Sequence, residues 1–254
     1  MKQNTVLRAE DVCKSFANNG GQNHVLDMIN LAIYEGDFTV IMGSSGAGKS
    51  TLLYALSGMD RVTSGRVYYK QKEITRLKEK EMAALRASEF GFIFQQMHLV
   101  SNLTLMENVV VTGYLCKKES TRSVNQQAFA LLKQMHVEEA KDRLPSQVSG
   151  GEAQRAAIAR AVINRPGIVF ADEPTGALNR HNTEEVLNLL SELNREGQSI
   201  VMVTHDTRAA IHGNRFVYLE DGRVMGEMQM PPYRKEEEKS RERQMEAWLA
   251  SMAW

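Results

Sequence analysis

Three groups of residues have side chains and spacings suited to phosphate chemistry. Gly43-Ser44-Ser45-Gly46-Ala47-Gly48-Lys49-Ser50 fits G-x-x-x-x-G-K-[ST]. A glycine-rich turn feeding a helix aims backbone N–H groups at one point and makes an anion site without any side chain. There Lys49 supplies a mobile positive charge for β- and γ-phosphates, Ser50 offers a hydroxyl to Mg²⁺, and Thr51 continues the first turn. Asp172 and Glu173 form the second group, two carboxylates at the end of Ile168-Val169-Phe170-Ala171. Asp172 suits a Mg²⁺ ligand, directly or through water, and Glu173 suits the base or water-positioner for attack on a γ-phosphate. Ser149-Gly150-Gly151-Glu152 is the third. Two adjacent glycines in a first helical turn cost about 1 kcal/mol each relative to alanine, and close backbone approach to an anion would offset that. The plain alternatives are a glycine turn ahead of a lysine, a solubilised strand end and a simple S-x-x-E capping box.

The flanking patterns must place these groups. Phe38-Thr39-Val40-Ile41-Met42 reads as a buried strand before the glycine loop, and Thr51 to Leu56 as a helix after it. Ile168–Ala171 is a short, fully apolar strand of the kind covered on both faces of a parallel sheet, and Ser199-Ile200-Val201-Met202-Val203-Thr204 reads as another buried strand. The C-terminal ends of such strands are where ligands sit in open α/β sheets. Residues 5–42 are antiparallel in character, with a turn over Asn18-Asn19-Gly20-Gly21-Gln22, and Gly65 to Tyr69 adds a strand. Lys78 to Arg86 reads as a helix and Phe90 to Phe94 as a strand ended by Gln95-Gln96. Two capping boxes, Thr104–Glu107 and Ser123–Gln126, predict helices to about Cys116 and Met135, separated by a polar loop over Lys117 to Arg122. Residues 97–147 thus read as a helical insertion between two parts of a sheet. Thr183 to Asn194 is an amphipathic helix stopped at Gly197, and Asp221-Gly222 turns a hairpin. Strands alternating with helices predict an α/β core around the glycine loop.

Composition narrows the function classes. Lys plus Arg equals Asp plus Glu, 31 against 31, so the broad basic field of a nucleic-acid binder is missing. Cys13 and Cys116 form neither a C-x-x-C nor a disulfide framework, which predicts a reducing compartment. The N-terminus lacks an apolar signal core, and no apolar stretch approaches the roughly 20 residues that span a bilayer. A soluble chain is expected, with any membrane role supplied by a separate partner. Beyond Pro231-Pro232 the chain is highly charged, and Met245, Trp248, Leu249 and Met252 then make a helical stripe. That stripe fits a helix docked on its own domain, a partner or membrane-surface contact, or a disordered end.

The motifs in this order resemble the ATP-binding subunit of ATP-binding-cassette (ABC) transporters, over about residues 5–228. Val148-Ser149-Gly150-Gly151-Glu152 is similar to the LSGGQ signature, Gln95 to the Q-loop glutamine and His205 to the switch histidine. Phe16 matches the adenine-stacking aromatic, and Ala177-Leu178-Asn179 the D-loop. The resemblance implies a P-loop NTPase (RecA-like) core with an N-terminal antiparallel β subdomain and a helical insertion subdomain. It places an ATPase domain at 1–230, its helical part at about 97–164, and a charged tail at 231–254. The cofactors implied are ATP and Mg²⁺. Phe16, Gly43 to Thr51 and Ser149 to Glu152 would hold nucleotide, and Ser50, Gln95 and Asp172 would hold the metal. Lys49, Gln95, Glu173 and His205 would be catalytic, with Glu173 polarising water and His205 keeping the γ-phosphate geometry.

A head-to-tail homodimer is implied, with each ATP between Lys49 of one subunit and Ser149 of the other. So is an integral membrane permease on a separate chain, docked near residues 95–110 at the cytoplasmic face. Gly91 to Gln96 and Phe170 to Leu178 are similar to the macrolide-exporter, lipoprotein-release and bacitracin-resistance group, with the peptide-antibiotic branch closest. Lipoprotein-release or cell-division mechanotransmission, or an ATP-binding scaffold with little hydrolysis, are the alternatives within that reading. DNA-repair and ribosomal relatives would need a long coiled-coil insertion or two cassettes in one chain, and neither is present. Two departures bear on turnover. Asn179 stands where the D-loop usually has Asp, and Glu152 stands where the signature has Gln. Glu152 would repel phosphate if it faced it, or turn back onto Ser149 as a capping-box residue.

Overall fold

A computed structural model describes residues 4–18, 21–116 and 119–252. In chain order the first elements are β1 (Thr5–Asn18), β2 (Gly21–Tyr34), β3 (Phe38–Met42), α1 (Lys49–Leu56), β4 (Ser64–Tyr69) and β5 (Lys72–Glu73). Then come α2 (Glu79–Glu89), β6 (Phe90–Phe94), α3 (Leu105–Cys116), α4 (Thr121–Gln134), α5 (Gly150–Val162) and β7 (Ile168–Asp172). The last are α6 (Arg180–Arg195), β8 (Ser199–Val203), α7 (Thr207–Ala210), β9 (Arg215–Glu220), β10 (Arg223–Gln229) and α8 (Glu238–Ser251). Contacts divide the chain into one unit formed by residues up to Met82 and from Ser191 onward, and a second unit, Ala83–Leu190.

The first unit holds two sheets. β2, β1, β4 and β5 form an antiparallel sheet in that order. In the other, β10, β9, β3 and β8 lie side by side, with β3 parallel to both β8 and β9. Every residue of β3 and β8 is buried, as their largely apolar sequences favour, Thr39 and Ser199 included. β9 and β10 close through Asp221 (φ 44°) and Gly222 (φ 72°), the left-handed pair that a two-residue hairpin turn demands. The turn proposed at 18–22 includes residues 19 and 20, which lie outside the described residues.

The tail helix α8 belongs to this unit. Met245 and Leu249 are buried, and the Arg241 guanidinium, 2% exposed, donates to the carbonyls of Ile211 (2.8 Å), Pro231 (2.7 Å) and Gly213. Those bonds satisfy a buried charge that would otherwise be costly. Of the three readings of the apolar stripe, the helix docked on its own unit is the one found.

The second unit sets β6 parallel to β7, with Phe94 opposite Asp172. α3, α4 and α5 pack on one another beside them. Two expected boundaries move. α4 begins at Thr121, because the Ser120 hydroxyl accepts from the Ser123 N–H, so Ser123 lies inside the first turn and is not its cap. The polar loop is correspondingly shorter, and its residues 117 and 118 lie outside the described residues. α6 begins at Arg180, three residues before the apolar periodicity shows, because Asn179 Oδ1 accepts from the Asn182 N–H (3.0 Å).

Candidate ATP-binding and hydrolysis site

The phosphate loop lies wholly in the first unit. It leaves β3 through Gly43, where a Cβ would stand 2.0 Å from the Leu219 carbonyl oxygen, so no other residue fits there. It enters α1 through Gly48 (φ 98°), where a Cβ would stand 2.9 Å from the Val25 carbonyl. α1 has no side-chain cap and no acidic residue in its first turn, so no carboxylate of its own first turn offsets the positive end of its dipole. Lys49 Nζ donates to the Gly43 (2.9 Å) and Ser44 (2.8 Å) carbonyls, folding back over the loop. Ser44, Ser45 and Gly46 form its exposed rim, while Ala47 is buried and its carbonyl accepts from the Gly222 N–H. Ser50 and Thr51 follow as partly exposed first-turn residues.

β1 and β2 carry Phe16 toward the same corner. Phe16 pairs with Asn23, close in register to Val25, which touches Gly48. The ring is 44% exposed, and Lys14 Nζ lies 4.7 Å from its centroid. An exposed aromatic face suits stacking on a base. His205 follows β8 and is exposed, just ahead of α7. Asp206 fixes that exit, since its N–H donates to Thr204 Oγ1 (3.1 Å) and its carboxylate accepts from the Arg208 N–H (2.9 Å).

The strand-end carboxylates Asp172 and Glu173 and the Ser149–Glu152 segment lie in the second unit. Asp172 is buried at the end of β7, and Glu173 follows at φ 45°. A left-handed glutamate is a strained conformation, one that a tight turn must hold in place. The Gly176 N–H closes that turn on the Glu173 carbonyl (3.0 Å). Gln95 leaves β6 level with Glu173 leaving β7, and its amide lies against Gly176, where a Cβ would come within 2.8 Å of Nε2.

Helix α5 grips both strand ends. The fully buried Gln154 donates through Nε2 to the Pro174 carbonyl (2.7 Å) and the Phe94 carbonyl (3.2 Å). Arg160 donates to the Met97 (2.7 Å) and His98 (2.6 Å) carbonyls. Gln95 is thus held from both sides by the helix that carries the signature. Sequence reasoning missed Gln154 and Arg160. Their only signal was polar side chains on the buried face of an otherwise Ala-rich helix.

At the start of α5, Ser149 Oγ accepts from the Glu152 N–H (3.2 Å). The Glu152 carboxylate accepts from the Ser149 N–H (2.8 Å) and hydroxyl (2.7 Å). Glu152 therefore takes the capping-box arrangement, and these bonds from Ser149 hold its carboxyl below the usual carboxylate range. The glycines separate in role. Gly151 lacks a side chain because Asn182 fills that space, at 2.4 Å from a would-be Cβ, so packing within the unit accounts for it. Gly150 is exposed, and a Cβ there would meet nothing closer than 3.7 Å. Packing inside this chain therefore leaves the cost of Gly150 without a return.

Comparison with known proteins fits these geometries. The ABC transporter family model matches residues 26–176. The chain is 39% identical over 220 residues to the bacitracin export ATP-binding protein BceA of Halalkalibacterium halodurans, covering 86% of this chain and 87% of that protein. It is 40% identical to the macrolide export ATP-binding/permease protein MacB of Pectobacterium atrosepticum, over 90% of this chain and 35% of that one. For the Haemophilus ducreyi MacB the values are 38%, 89% and 32%, so the chain spans about a third of the MacB relatives. Among solved structures, the ATP-binding cassette MJ0796, described as a dimeric post-hydrolysis state bound to ADP and Pi, superposes with a TM-score of 0.83. That match is 36% identical and covers 89% of this chain and all of the other. With its phosphate loop, strand-end carboxylates and signature helix, the chain belongs to the ABC transporter family, as an ATP-hydrolysing cassette with the family's P-loop NTPase fold.

Proposed function

We propose that this cassette binds Mg²⁺–ATP on its phosphate loop, completes each site with Ser149 of a second copy, and powers a membrane permease on another chain. The observation that carries the reading is the split between two helix starts. α1 starts beside Lys49 with no side-chain cap, while α5 presents Gly150 to solvent with no close packing partner among the described residues. A partner's phosphate approaching Gly150 supplies that reason. The dimeric MJ0796 cassette at 36% identity supports the pairing of two copies.

The donor set fits Mg²⁺. Ser50 offers a hydroxyl, Gln95 an amide oxygen and Asp172 a carboxylate, all hard oxygen donors. Among the described residues no group of three or more His, Cys, Asp or Glu could hold a metal. One carboxylate plus substrate phosphates is the way Mg²⁺ is usually held, rather than a protein cage. When bound, the ion neutralises charge on the β- and γ-oxygens. The chain's own residues do the rest: Lys49 and the loop N–H groups bind the phosphates, Glu173 orients and polarises the attacking water, and His205 holds the γ-phosphate in line. Phe16 stacks on the base.

Among the described residues no helix is long and apolar enough to cross a membrane. Val100, Val111 and Leu115, all exposed and apolar in or beside α3, fit a docking face for the permease at the cytoplasmic side. Identity to BceA over nearly its whole length favours a peptide-antibiotic resistance role over lipoprotein release. Asn179 keeps the helix-capping function of the D-loop residue without its charge, which favours a working ATPase over a scaffold. The test is Glu173→Gln in the complex with its permease. The variant is expected to bind ATP, hold a stable dimer and lose at least about a hundredfold in phosphate release. Rapid turnover in that variant would remove Glu173 from the role.

A further inference from the structure

The phosphate loop is tied to the C-terminal helix by a chain of contacts inside the first unit. Ser44 Oγ donates to Glu220 Oε1 (3.0 Å), and the Tyr218 hydroxyl donates to Glu220 Oε2 (2.8 Å). The Tyr218 ring, 2% exposed, meets the Trp248 indole edge-on at 6.4 Å and 82°. Gly226, opposite Tyr218 in the hairpin, makes the room: a Cβ there would come within 2.9 Å of Met252 Sδ and 3.9 Å of the Trp248 ring. Met245 and Leu249 on the same helix are buried, and the three Arg241 bonds anchor its start. The loop end of the chain is equally tight, since Gly43 abuts the Leu219 carbonyl and Lys49 bonds the Ser44 carbonyl.

An ionised carboxylate only accepts, and here each oxygen has a donor, so Glu220 is held in one place. Burial pushes the Tyr218 phenol up to about 12, with the bond to Glu220 acting in the same sense, so it stays a donor throughout the physiological range. Tyr218, Glu220 and Trp248 all lie outside the residues 26–176 that the family model matches.

We propose that Glu220 is a positioning residue for Ser44 of the phosphate loop, and that α8 braces it through Trp248 and Tyr218, so that the C-terminal helix helps set nucleotide affinity. This rests on the loop being the nucleotide site. A nucleotide drawing on the loop's N–H groups shifts Ser44, and the shift reaches Trp248 through a carboxylate and a phenol that have no slack.

The test uses the full chain with Trp254→Phe, leaving Trp248 as the sole tryptophan. Its emission is expected to change saturably with ADP, and the change to disappear in Glu220→Ala and in Tyr218→Phe although both still bind ADP by calorimetry. Emission that ignores saturating ADP, or a response that survives Glu220→Ala, would overturn the proposal. Trp248→Ala is expected to weaken ADP binding by about three- to tenfold, and to add nothing further in the Glu220→Ala background. An undiminished effect in that background would show that the helix acts by another route. If Trp248→Ala does not fold, Tyr218→Phe carries the affinity arm, since it removes one hydroxyl and keeps the ring. Lys49→Ala is the separate control: ADP binding equal to the parent would sink the site assignment itself rather than the brace.

Discussion

Helix α1 is entered through Gly48 at φ 98° with no side-chain cap, whereas α5 is entered through Ser149 at φ −68° and closed by a reciprocal Ser149–Glu152 box. Both starts carry glycines and both face an anion in the proposed dimer. At α1 no side chain caps the helix start, and the glycines are compelled by backbone carbonyls of β2 and β9. At α5 the Glu152 N–H and both Ser149 donors are already engaged within the turn. A phosphate arriving there competes with a carboxylate for the serine hydroxyl. The physical lesson is an ordering. On the proposed assignment the first site holds nucleotide by itself, and the second contributes only when a charged ligand is brought to it already bound.

The contrast can be broken most severely at Gly43. Gly43→Ala forces a Cβ to within 2.0 Å of the Leu219 carbonyl, so the loop or β9 must move. We expect a loss on the order of 3 kcal/mol in urea unfolding, together with loss of nucleotide binding. A variant of parental stability would mean that the loop is not pinned by β9.

Acid should separate the two regions almost as strongly. Burial, assisted by the Arg241 charge, pushes buried His212 from 6.5 down to about 4. Its imidazole bonds Ser191 Oγ (2.8 Å) and stacks on Tyr233. The unfolded chain therefore binds more protons between those values. The stabilisation is complete above about pH 6.5 and is lost as pH falls toward 4, amounting to about 3 kcal/mol in all. Glu152, whose folded pKa is lowered by Ser149, loses its contribution only below the ordinary carboxylate value of 4.5. Unfolding midpoints from pH 7 to 5 should thus fall in the parent and flatten in His212→Gln, while Glu152→Gln leaves that window unchanged.

Gln154→Leu comes next. It leaves the Pro174 and Phe94 carbonyls without their donor, at a cost of about 1–3 kcal/mol. If α5 positions both strand ends, kcat should fall more than KM rises, because Glu173 and Gln95 lose alignment rather than contact with nucleotide. A change confined to KM would argue against that coupling. The smallest effect on folding is expected at Gly150, where an added methyl makes only ordinary van der Waals contact, nothing closer than 3.7 Å. Gly150→Ala should lie within about 1 kcal/mol of the parent yet lose hydrolysis in the assembled complex. Gly151→Ala should destabilise even the isolated chain, through Asn182. Full hydrolysis by Gly150→Ala would remove the partner phosphate from α5.

The chemical motifs were legible because each is local. Gly43 to Ser50, Ser149 to Glu152 and Ile168 to Glu173 each combine a backbone demand with a side-chain demand within eight residues, and the buried strands announced themselves as unbroken apolar runs. Helix starts were less legible where the cap precedes the pattern. Ser120 and Asn179 begin α4 and α6 before any apolar period appears, and Ser123 imitated a cap that Ser120 supplies.

The sequence by itself thus determined the family and the α/β class, and it singled out the residues proposed to meet phosphate, since these follow from residue type at short spacing. Tertiary structure decided why each glycine is needed, because a Cβ clash depends on a carbonyl or side chain distant in sequence, Leu219 for Gly43 and Asn182 for Gly151. It also decided that the tail docks. Arg241 reads as an ordinary member of a charged segment, and Trp248 as part of an apolar stripe of undecided contact, until the carbonyls of 211 to 213 and the ring of Tyr218 are placed beside them. Long-range contact has no signature in spacing, and that is where the brace on the phosphate loop was found.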